Sequence, residues 1–418
     1  MAAPSTNTGS ATVKTQAAPR AGAVMAILLL IFFLGTSDNQ MISPLLPYIA
    51  AEFGIAVGDV GQLMGPAYAL AAATAALLIG PLSDRYGRRR FLLYGSILFG
   101  ASLLIVSAMQ NVYALASVRL LTGLAAGTFS TCAIAYVGDY FPYERRGMAM
   151  SVVQAGYFAA LVFGVPVANL LAQWQSWRAS FALFGLIAAA AFFLVAALLP
   201  DDRHLMAEHG HETGSRGRFE NMRLLFASVD RVAAIAAAFL VSAGFVGFIF
   251  YLGSWLKKSL ELSANQINLF FAMVGVAALA GGLVAGPVAD RFGKRNLSIL
   301  STVILAAMLF IIPRLGWGVI LFSGFLIASL AFAFRQGPLQ ALATEMVPRS
   351  ARGSFVAVRN TASQMGIAVS TVVSGLLYDS AGYMAVGLFS GAVTLAAGLC
   401  IFLMREPQQE GALSDHHA

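Results

Sequence analysis

Twelve long apolar runs, separated by short polar loops, are the feature that most limits what this chain can fold into. A run of about 18 or more residues with few charges is long enough to cross a bilayer. We number the runs as spans 1 to 12, and they lie near residues 22–50, 58–83, 89–109, 112–138, 147–172, 178–199, 232–255, 264–289, 296–313, 316–346, 354–378 and 382–404. Hydrocarbon satisfies no peptide group, so each span must be a helix or part of a closed barrel, and barrel strands would alternate in polarity. The sequence therefore predicts an all-α membrane protein with twelve transmembrane helices.

The composition excludes several other classes of protein. The 418 residues are 59% hydrophobic and only 11% charged, whereas a soluble domain has about 25% charged residues. The net charge of +7 does not indicate a nucleic-acid partner, because the positive charges sit in short clusters between apolar runs, where membrane topology explains them. The sequence contains no Walker motif, catalytic triad or cluster of metal ligands. We therefore predict no enzyme, cofactor or metal site.

A motif in the loop after span 2 occurs a second time after span 8. Residues 80–90 read GPLSDRYGRRR, and residues 286–295 read GPVADRFGKR, 206 positions later. A second pair of loops keeps the same offset, since residues 139–147 (DYFPYERRG) correspond to residues 345–353 (EMVPRSARG). Two unrelated motifs at one offset, about half the chain length, indicate two copies of one unit. We therefore predict two pseudo-symmetric bundles of six helices each.

Lysines and arginines are concentrated in the four loops that carry these motifs. The loops after spans 2, 4, 8 and 10 hold eleven basic residues, and the opposite loops hold only four. This bias predicts that the motif loops and both termini are cytoplasmic, in a protein of the bacterial inner (plasma) membrane. The predicted divisions are a disordered cytoplasmic tail (1–21), two six-helix halves (22–199 and 232–404) joined by a cytoplasmic linker (200–231), and a second tail (405–418).

The repeated motif and its place between spans 2 and 3, and again between spans 8 and 9, resemble the cytoplasmic signature of the major facilitator superfamily. The resemblance covers the whole chain, because the twelve spans, the two halves and the central loop all correspond. It implies secondary transport, in which two six-helix bundles rock about a central site.

The resemblance implies that the motif residues latch the two halves in the state that is open to the outside. Gly80 and Gly286 are small enough to let two helices approach closely, and Gly87 and Gly293 permit a tight turn with positive φ. Asp84 can attract a basic side chain one turn on and can favour the positive N-terminal end of a neighbouring helix. The resemblance implies that this neighbour is span 11, with the second copy acting on span 5; the alternative is that the charges only set topology. The predicted latch residues are Gly80, Asp84, Gly87, Arg88, Asp139, Gly286, Asp290, Gly293, Lys294 and Glu345.

Asp38 is the only acid well inside a predicted span, and a charge at that depth is a functional hypothesis by default. It lies about 16 residues into span 1, about 24 Å along a helix and near the middle of the bilayer. A carboxylate in that position can take up and release a proton as its access alternates. The alternative is a structural hydrogen bond between helices.

Three arginines also lie inside spans, and none has a basic counterpart 206 positions away. Arg119 in span 4, four residues before Gly123, resembles the family's fourth-helix signature, which is linked to proton coupling. The full set of candidate proton-coupling and substrate residues is Asp38, Asn39, Gln40, Arg119, Arg335, Gln336, Arg359 and Asn360. Three arginines against one acid predict a positive cavity suited to an anionic substrate, provided that all three face it. The alternative for Arg359 is a side chain that snorkels to the cytoplasmic face.

We therefore predict a proton-coupled secondary transporter that exports a small amphipathic or anionic organic molecule by alternating access. Gly156, followed by Gly164-Val165-Pro166 in span 5, is in part similar to the family's antiporter signature. One alternative is proton-coupled uptake of an organic acid or another metabolite. An alternative of another class is a non-transporting membrane receptor or scaffold on the same fold. The predicted partners are a small-molecule substrate, protons and the lipid bilayer, and the chain is expected to act as a monomer.

Overall fold

A computed structural model of the chain describes residues 21–141, 143–201, 226, 228–347 and 352–404. Apart from Ala21, the predicted tails lie outside these residues, as does most of the predicted linker. Spans 1 to 6 are the helices Ala21–Phe53, Val57–Tyr86, Arg88–Ala108 and Val112–Tyr140, then Tyr143–Ala159 continued by the π-helical turn Ala160–Gly164 and the helix Val165–Trp174, and finally Trp177–Leu198. Spans 7 to 10 are Val229–Lys258, Ala264–Phe292, Lys294–Ile311 with the 3₁₀ turn Ile312–Arg314, and Val319–Glu345. Spans 11 and 12 together form Arg352–Leu403.

The last helix contains two membrane crossings. Eleven helices in the described ranges are long and apolar enough to cross a membrane, and the last apolar stretch, Ser354–Leu403, has 50 residues. A helix of that length extends about 75 Å, more than twice the hydrocarbon thickness of about 30 Å. Gly382, with φ 77° and ψ −179°, breaks it into spans 11 and 12. The prediction of an all-α protein with twelve transmembrane helices is therefore confirmed.

Local sequence signals set where several spans begin. The side chain of Asn111 caps span 4 by accepting a hydrogen bond from the backbone N–H of Tyr113 at 2.8 Å. Ser263 and Gln266 form a capping box at the start of span 8. Gly87 and Gly293, at repeated positions, have φ of 94° and 83°, a conformation that glycine adopts without steric cost. Each of these two glycines lets a span end and the next begin within a single residue.

The two halves have the same internal packing. In the first half, span 2 packs on span 4 and span 3 packs on span 6; in the second half, span 8 packs on span 10 and span 9 packs on span 12. Small residues permit the close approaches, since a Cβ placed on Gly100 of span 3 would lie 3.0 Å from the carbonyl oxygen of Gly185 in span 6. The repeat in the sequence is therefore a repeat in three dimensions.

Several hydrogen bonds join the halves at one end of the molecule. We call the end that carries Asp84, Asp139, Asp290 and Glu345 the motif side, and the opposite end the far side. Near the far side, Ser43 in span 1 donates a hydrogen bond to the carbonyl of Ile249 in span 7 at 2.7 Å and accepts one from the N–H of Gly253 at 2.9 Å. Spans 5 and 8 are joined in the same way, because Asn169 Nδ2 donates to Asn268 Oδ1 at 2.8 Å.

A further far-side contact joins span 2 to spans 7 and 11. The N–H of Gly58, at the start of span 2, donates to Asp379 Oδ1 at 3.0 Å. Tyr251 of span 7 donates its hydroxyl to the carbonyl of the same Gly58 at 3.4 Å. A Cβ on Gly58 would overlap Asp379 and the carbonyl of Gly375. The backbone of Gly58 packs directly against the Asp379 carboxylate and the Gly375 carbonyl, which leaves no room for a side chain at position 58.

A cleft between the halves opens toward the motif side. Gln336 in span 10 and Asn360 in span 11 are exposed, and both lie in the motif-side parts of their spans. Hydrocarbon cannot satisfy the polar groups of an amide side chain, so these residues face a water-filled cleft between the halves and not lipid. Within the described residues, the conformation is therefore closed on the far side and open on the motif side.

Candidate functional site

Asp38 and Arg119 form a buried ion pair between spans 1 and 4. Arg119 Nη1 lies 2.6 Å from Asp38 Oδ1 and 2.8 Å from Oδ2. The Asp38 side chain is 0% exposed, and the Arg119 side chain is 2% exposed. Removing one partner from a buried pair leaves an uncompensated charge, which is strongly unfavourable. A change in the protonation of Asp38 therefore acts directly on Arg119.

The local sequence of span 4 places Arg119 against span 2. Arg119, Gly123 and Gly127 are spaced by four residues and so share one face of the helix. A Cβ on Gly123 would overlap the carbonyl of Tyr68, and one on Gly127 would lie 2.7 Å from the carbonyl oxygen of Ala72. This close approach sets the Arg119 guanidinium over the Tyr68 ring, 4.8 Å from its centroid.

Span 5 packs on span 1 beside Asp38. Pro166 has no N–H for the helical ladder, and the turn before it, Ala160–Gly164, is π-helical. A Cβ on Gly164 would overlap the side chain of Ser37, the neighbour of Asp38. Gly156, two turns earlier, makes a similar close contact with the backbone of Phe33. The part of span 5 that is similar to the antiporter signature therefore packs against span 1 next to the buried acid.

A central cavity of about 190 Å³ adjoins this pair. Its walls come from spans 1, 2, 4 and 5 of the first half and span 11 of the second, and its polar lining includes Asn39, Gln40, Tyr68 and Gln364. Gln40 Nε2 donates to the carbonyl of Tyr157 at 3.3 Å. Within the described ranges, the buried Oε1 atoms of Gln40 and Gln364 accept no hydrogen bond. Gln40 and Gln364 therefore each bring a buried, unpaired amide oxygen to a mostly apolar cavity lining.

Arg335 of span 10 is buried behind an aromatic wall of the cavity. It is 0% exposed, and no hydrogen bond from the described part of the protein reaches its Nε, Nη1 or Nη2 atoms. Its guanidinium carbon lies 5.8 Å from the centroid of Phe332. Phe332 in turn stacks on Tyr157, a cavity-lining residue, with ring centroids 6.2 Å apart, and on Phe245 at 4.5 Å.

The remaining candidate substrate residues are less enclosed. Gln336, next to Arg335, is exposed to the cleft, and Asn360 is exposed on span 11. Arg359 is half-buried. The structure thus brings Asp38 and Arg119 together, places Asn39 and Gln40 at the cavity, and leaves Arg335 as a separate buried cation.

Charged latch residues form ion pairs within each half, and one pair in each half lies at repeated positions. Arg88 bonds to Asp84 at 2.9 Å and also to Asp139. In the second half, Lys294 bonds to Glu345. Each pair ties the start of span 3 or 9 to the motif-side end of span 4 or 10.

The latch itself stays a prediction, because the contact between the halves that it requires is not among the contacts of the described residues. A Cβ on Gly80 would make only an ordinary contact, at 3.8 Å from Thr131, and one on Gly286 would meet no atom of the described residues within 4 Å. Among the described residues, these two glycines therefore make no close helix contact in this conformation. The Asp84 side chain is 61% exposed. Residues 348–351, immediately before the start of span 11, lie outside the described ranges.

Tyr68, Tyr157, Gln364 and Asp379 were not predicted from the sequence. The three cavity residues carry no motif, and tyrosine is common in transmembrane helices, so only the packing of the spans identifies them. Asp379 had a weak signal, since it is an acid near the end of a span, where charges are ordinary. Its importance comes from Gly58, 321 positions away in the chain.

Comparison with known proteins agrees with this geometry. A family model described as Major Facilitator Superfamily matches residues 28–262 and 234–418. The uncharacterized MFS-type transporter YwfA of Bacillus subtilis (strain 168) is 30% identical over 375 residues, with 87% of each chain covered. A chloramphenicol resistance protein of Streptomyces lividans is 28% identical over 318 residues, covering 76% of this chain and 77% of that protein. The solved structure of a D-xylose-proton symporter superposes with a TM-score of 0.78 at 19% identity, covering 93% of this chain and 98% of that one. The chain therefore belongs to the Major Facilitator Superfamily.

Proposed function

We propose that this transporter couples export of a small organic molecule to entry of protons. The observation that carries the proposal is the Asp38–Arg119 pair, buried beside a central cavity between two halves that are parted on one side. An ionisable pair inside the membrane is costly, and proton relays are a recurring reason for keeping one.

The pair is placed to link proton binding to the packing of the spans. When Asp38 is ionised, it neutralises Arg119 and holds span 1 to span 4. When Asp38 takes up a proton, Arg119 loses its counter-ion and its interaction with span 1 weakens. Because Ser37 contacts span 5 and Tyr68 lines the cavity, the change acts on the cavity wall and on the helix that faces span 8.

The alternation of access follows from the positions of the loops. We assign the motif side to the cytoplasm because its loops carry most of the lysines and arginines, in the inner membrane of a bacterium, with both termini on the same side. The conformation described here is then open to the inside. Rocking of the two halves about the cavity would break the far-side contacts and close the motif side.

Export is favoured over uptake by one relative. The antiporter-like residues of span 5 do not set the direction, because Val165 separates the glycine from the proline. A relative that is 28% identical is a chloramphenicol resistance protein, and drug resistance by a membrane transporter is achieved by efflux. The substrate would enter from the cytoplasm and leave as a proton enters.

Reconstitution tests the function and its direction. Purified protein in liposomes is given a pH gradient, and accumulation is measured for a panel that contains chloramphenicol, other neutral drugs and organic anions. Right-side-out and inside-out membrane vesicles then give the direction of net movement. Accumulation that a protonophore abolishes is the expected result. Gradient-independent equilibration contradicts proton coupling, and no movement of any compound favours the receptor or scaffold alternative.

The orientation has its own test. In a chain with Cys132 and Cys400 replaced by serine, the Ser215→Cys variant should react with an impermeant maleimide only when the cytoplasmic side is accessible. Labelling in intact cells would reverse the assignment of the motif side.

A further inference from the structure

We infer that Arg335 binds the negatively charged group of the transported molecule, and that the substrate is an organic anion with an apolar body. The inference rests on the proposed function and adds the class of substrate. It starts from the Arg335 guanidinium, which is fully buried. The described residues supply neither a counter-ion nor a hydrogen-bond acceptor for it. An isolated charge in a low-dielectric interior is strongly unfavourable, so a group that is kept in this state is suited to a partner that arrives from outside the protein.

The repeat supports the placement of Arg335 at the substrate cavity. The position 206 residues earlier, in span 4, is Phe129, and Phe129 lines the central cavity. Spans 4 and 10 occupy equivalent places in the two halves, so position 335 lies on the side of span 10 that corresponds to the cavity side of span 4, where Arg335 is buried behind the cavity wall. Tyr157 connects the two observations, because it lines the cavity and stacks on Phe332, whose ring centroid lies 5.8 Å from the guanidinium carbon of Arg335.

Charge balance singles out Arg335 from the three arginines inside the spans. Arg119 is neutralised by Asp38 at 2.6 Å and is therefore not available to a second anion while that acid is ionised. Arg359 is only half-buried on the motif-side part of span 11. Arg335 alone combines complete burial with the absence of an ion-pair or hydrogen-bond partner in the described ranges, and in that environment a single positive charge acts strongly on a nearby anion.

The other residues around the cavity indicate which further groups the ligand carries. The Tyr157 ring lines the cavity and is backed by the stacked rings of Phe332 and Phe245, so this wall suits a flat apolar or aromatic body. The free Oε1 atoms of Gln40 and Gln364 suit a hydrogen-bond donor such as a hydroxyl group. The orientation of the Gln40 amide is supported by its donation to the carbonyl of Tyr157. A carboxylate or sulfonate on a ring that also carries a hydroxyl group matches all three features.

Matched probes separate charge from shape. 4-Hydroxybenzoate, 4-hydroxybenzenesulfonate and the neutral 4-hydroxybenzamide are added to the purified full-length protein, and the melting temperature is measured as a function of probe concentration. A ligand that binds only the folded protein raises the melting temperature increasingly with its concentration. We expect both anions to raise it and the amide to have a smaller effect or none.

Three variants make the result specific to one residue. Arg335→Gln should abolish the difference between the anions and the amide, whereas Arg335→Lys, which keeps the charge, should retain part of it. Arg314→Gln is the control, because Arg314 is exposed at the far-side end of span 9 and donates to the carbonyl of Phe310 in its own segment. Equal shifts for the amide and the anions, or anion shifts that persist unchanged in Arg335→Gln, overturn the inference. Absence of any anion shift in the unmodified protein overturns it as well.

Failure of this inference and failure of the proposed function give different results. If the unmodified protein accumulates a neutral drug with a pH gradient and Arg335→Gln does so equally well, proton-coupled export stands and the anion site is wrong. If the anions bind through Arg335 but no compound accumulates in response to a pH gradient, the anion site stands and proton-coupled export is wrong.

Discussion

The two halves share their frame and differ at their centres. At the motif side, Arg88 with Asp139 and Lys294 with Glu345 make the same contact 206 positions apart. Spans 3 and 9 also bond to the last span of their half in the same way. Arg89 donates to the carbonyl of Ala196 in span 6, and Arg295 donates to the carbonyl of Phe402 in span 12. These repeated contacts hold helix ends in place and take no part in the central cavity.

The centres of the halves carry different chemistry. Asp38 and Arg119 are paired in the first half, and the equivalent positions in the second half hold Gly244 and Phe325. A Cβ on Gly244 would lie 2.5 Å from the hydroxyl of Thr394, so an acid has no room there. The second half has Arg335 where the first has an aromatic residue. The comparison indicates that the repeat supplies a shared frame, while the unrepeated charges are the candidates for binding protons and substrate.

The largest expected effect comes from removing the acid of the first half. Asp38→Asn mimics the protonated carboxyl permanently, so it should retain substrate binding and equilibrium exchange but lose accumulation against a gradient. The measurement is uptake into proteoliposomes with and without an imposed pH gradient. Glu52→Gln is the control, since Glu52 is in the same span but bonds to Arg178 and to Trp177 Nε1 at its far-side end. If Asp38→Asn still concentrates substrate when a pH gradient is imposed, the pair is a structural contact and the proton site lies elsewhere.

The fold could be predicted from the sequence because its determinants are local. Apolar length, loop charge and a repeat of 206 positions require no knowledge of which helices touch. The Asp38–Arg119 pairing could not be predicted, although both residues were identified, because the two are 81 positions apart. Their contact depends on the rotation of span 4, which Gly123 permits by packing against Tyr68.

Which side of the molecule is open could also not be predicted from the sequence. The small residues Gly80 and Gly286 favour a contact that this conformation does not make, and the same chain must pack in both states. Asp379 was missed for a related reason, since an acid at the end of a span is unremarkable until the N-terminus of another helix is placed against it. Pairings between the two halves are set by packing that the pattern of one span does not contain.

A smaller effect should separate the two copies of the motif. Arg88 is 13% exposed and bridges two acids, whereas Lys294 is 31% exposed and pairs with the 42% exposed Glu345. Arg88→Gln should lower the free energy of unfolding by about 2 kcal/mol, because two carboxylates lose a charged hydrogen-bond donor. Lys294→Gln should lower it by less than about 1 kcal/mol, as for other exposed pairs. The apparent melting temperatures of the two variants, measured in one detergent, test the order. Equal decreases in melting temperature would mean that the two ion pairs stabilise the protein equally despite their different burial.

The smallest effect concerns the two ends of the helix pair formed by spans 2 and 11. On the far side, the carboxylate of Asp379 accepts the N–H of Gly58 at the positive end of span 2. A charge at an exposed helix N-terminus contributes about 0.5 to 1 kcal/mol, so Asp379→Asn should reduce the population that is open on the motif side about two- to fivefold relative to the other state. Asp84→Asn should act in the opposite direction, because its charge is expected to favour the start of span 11 when the motif side closes. Spin-label distances across the motif side and across the far side measure both populations.

Asp59→Asn is the matched control: Asp59 is exposed on the first turn of span 2, and this variant keeps the backbone N–H groups, so it should not shift the populations toward the far-side-open state. If Asp84→Asn and Asp379→Asn shift the distances in the same direction, the two acids do not hold opposite states, and the latch at Asp84 is then only a determinant of topology.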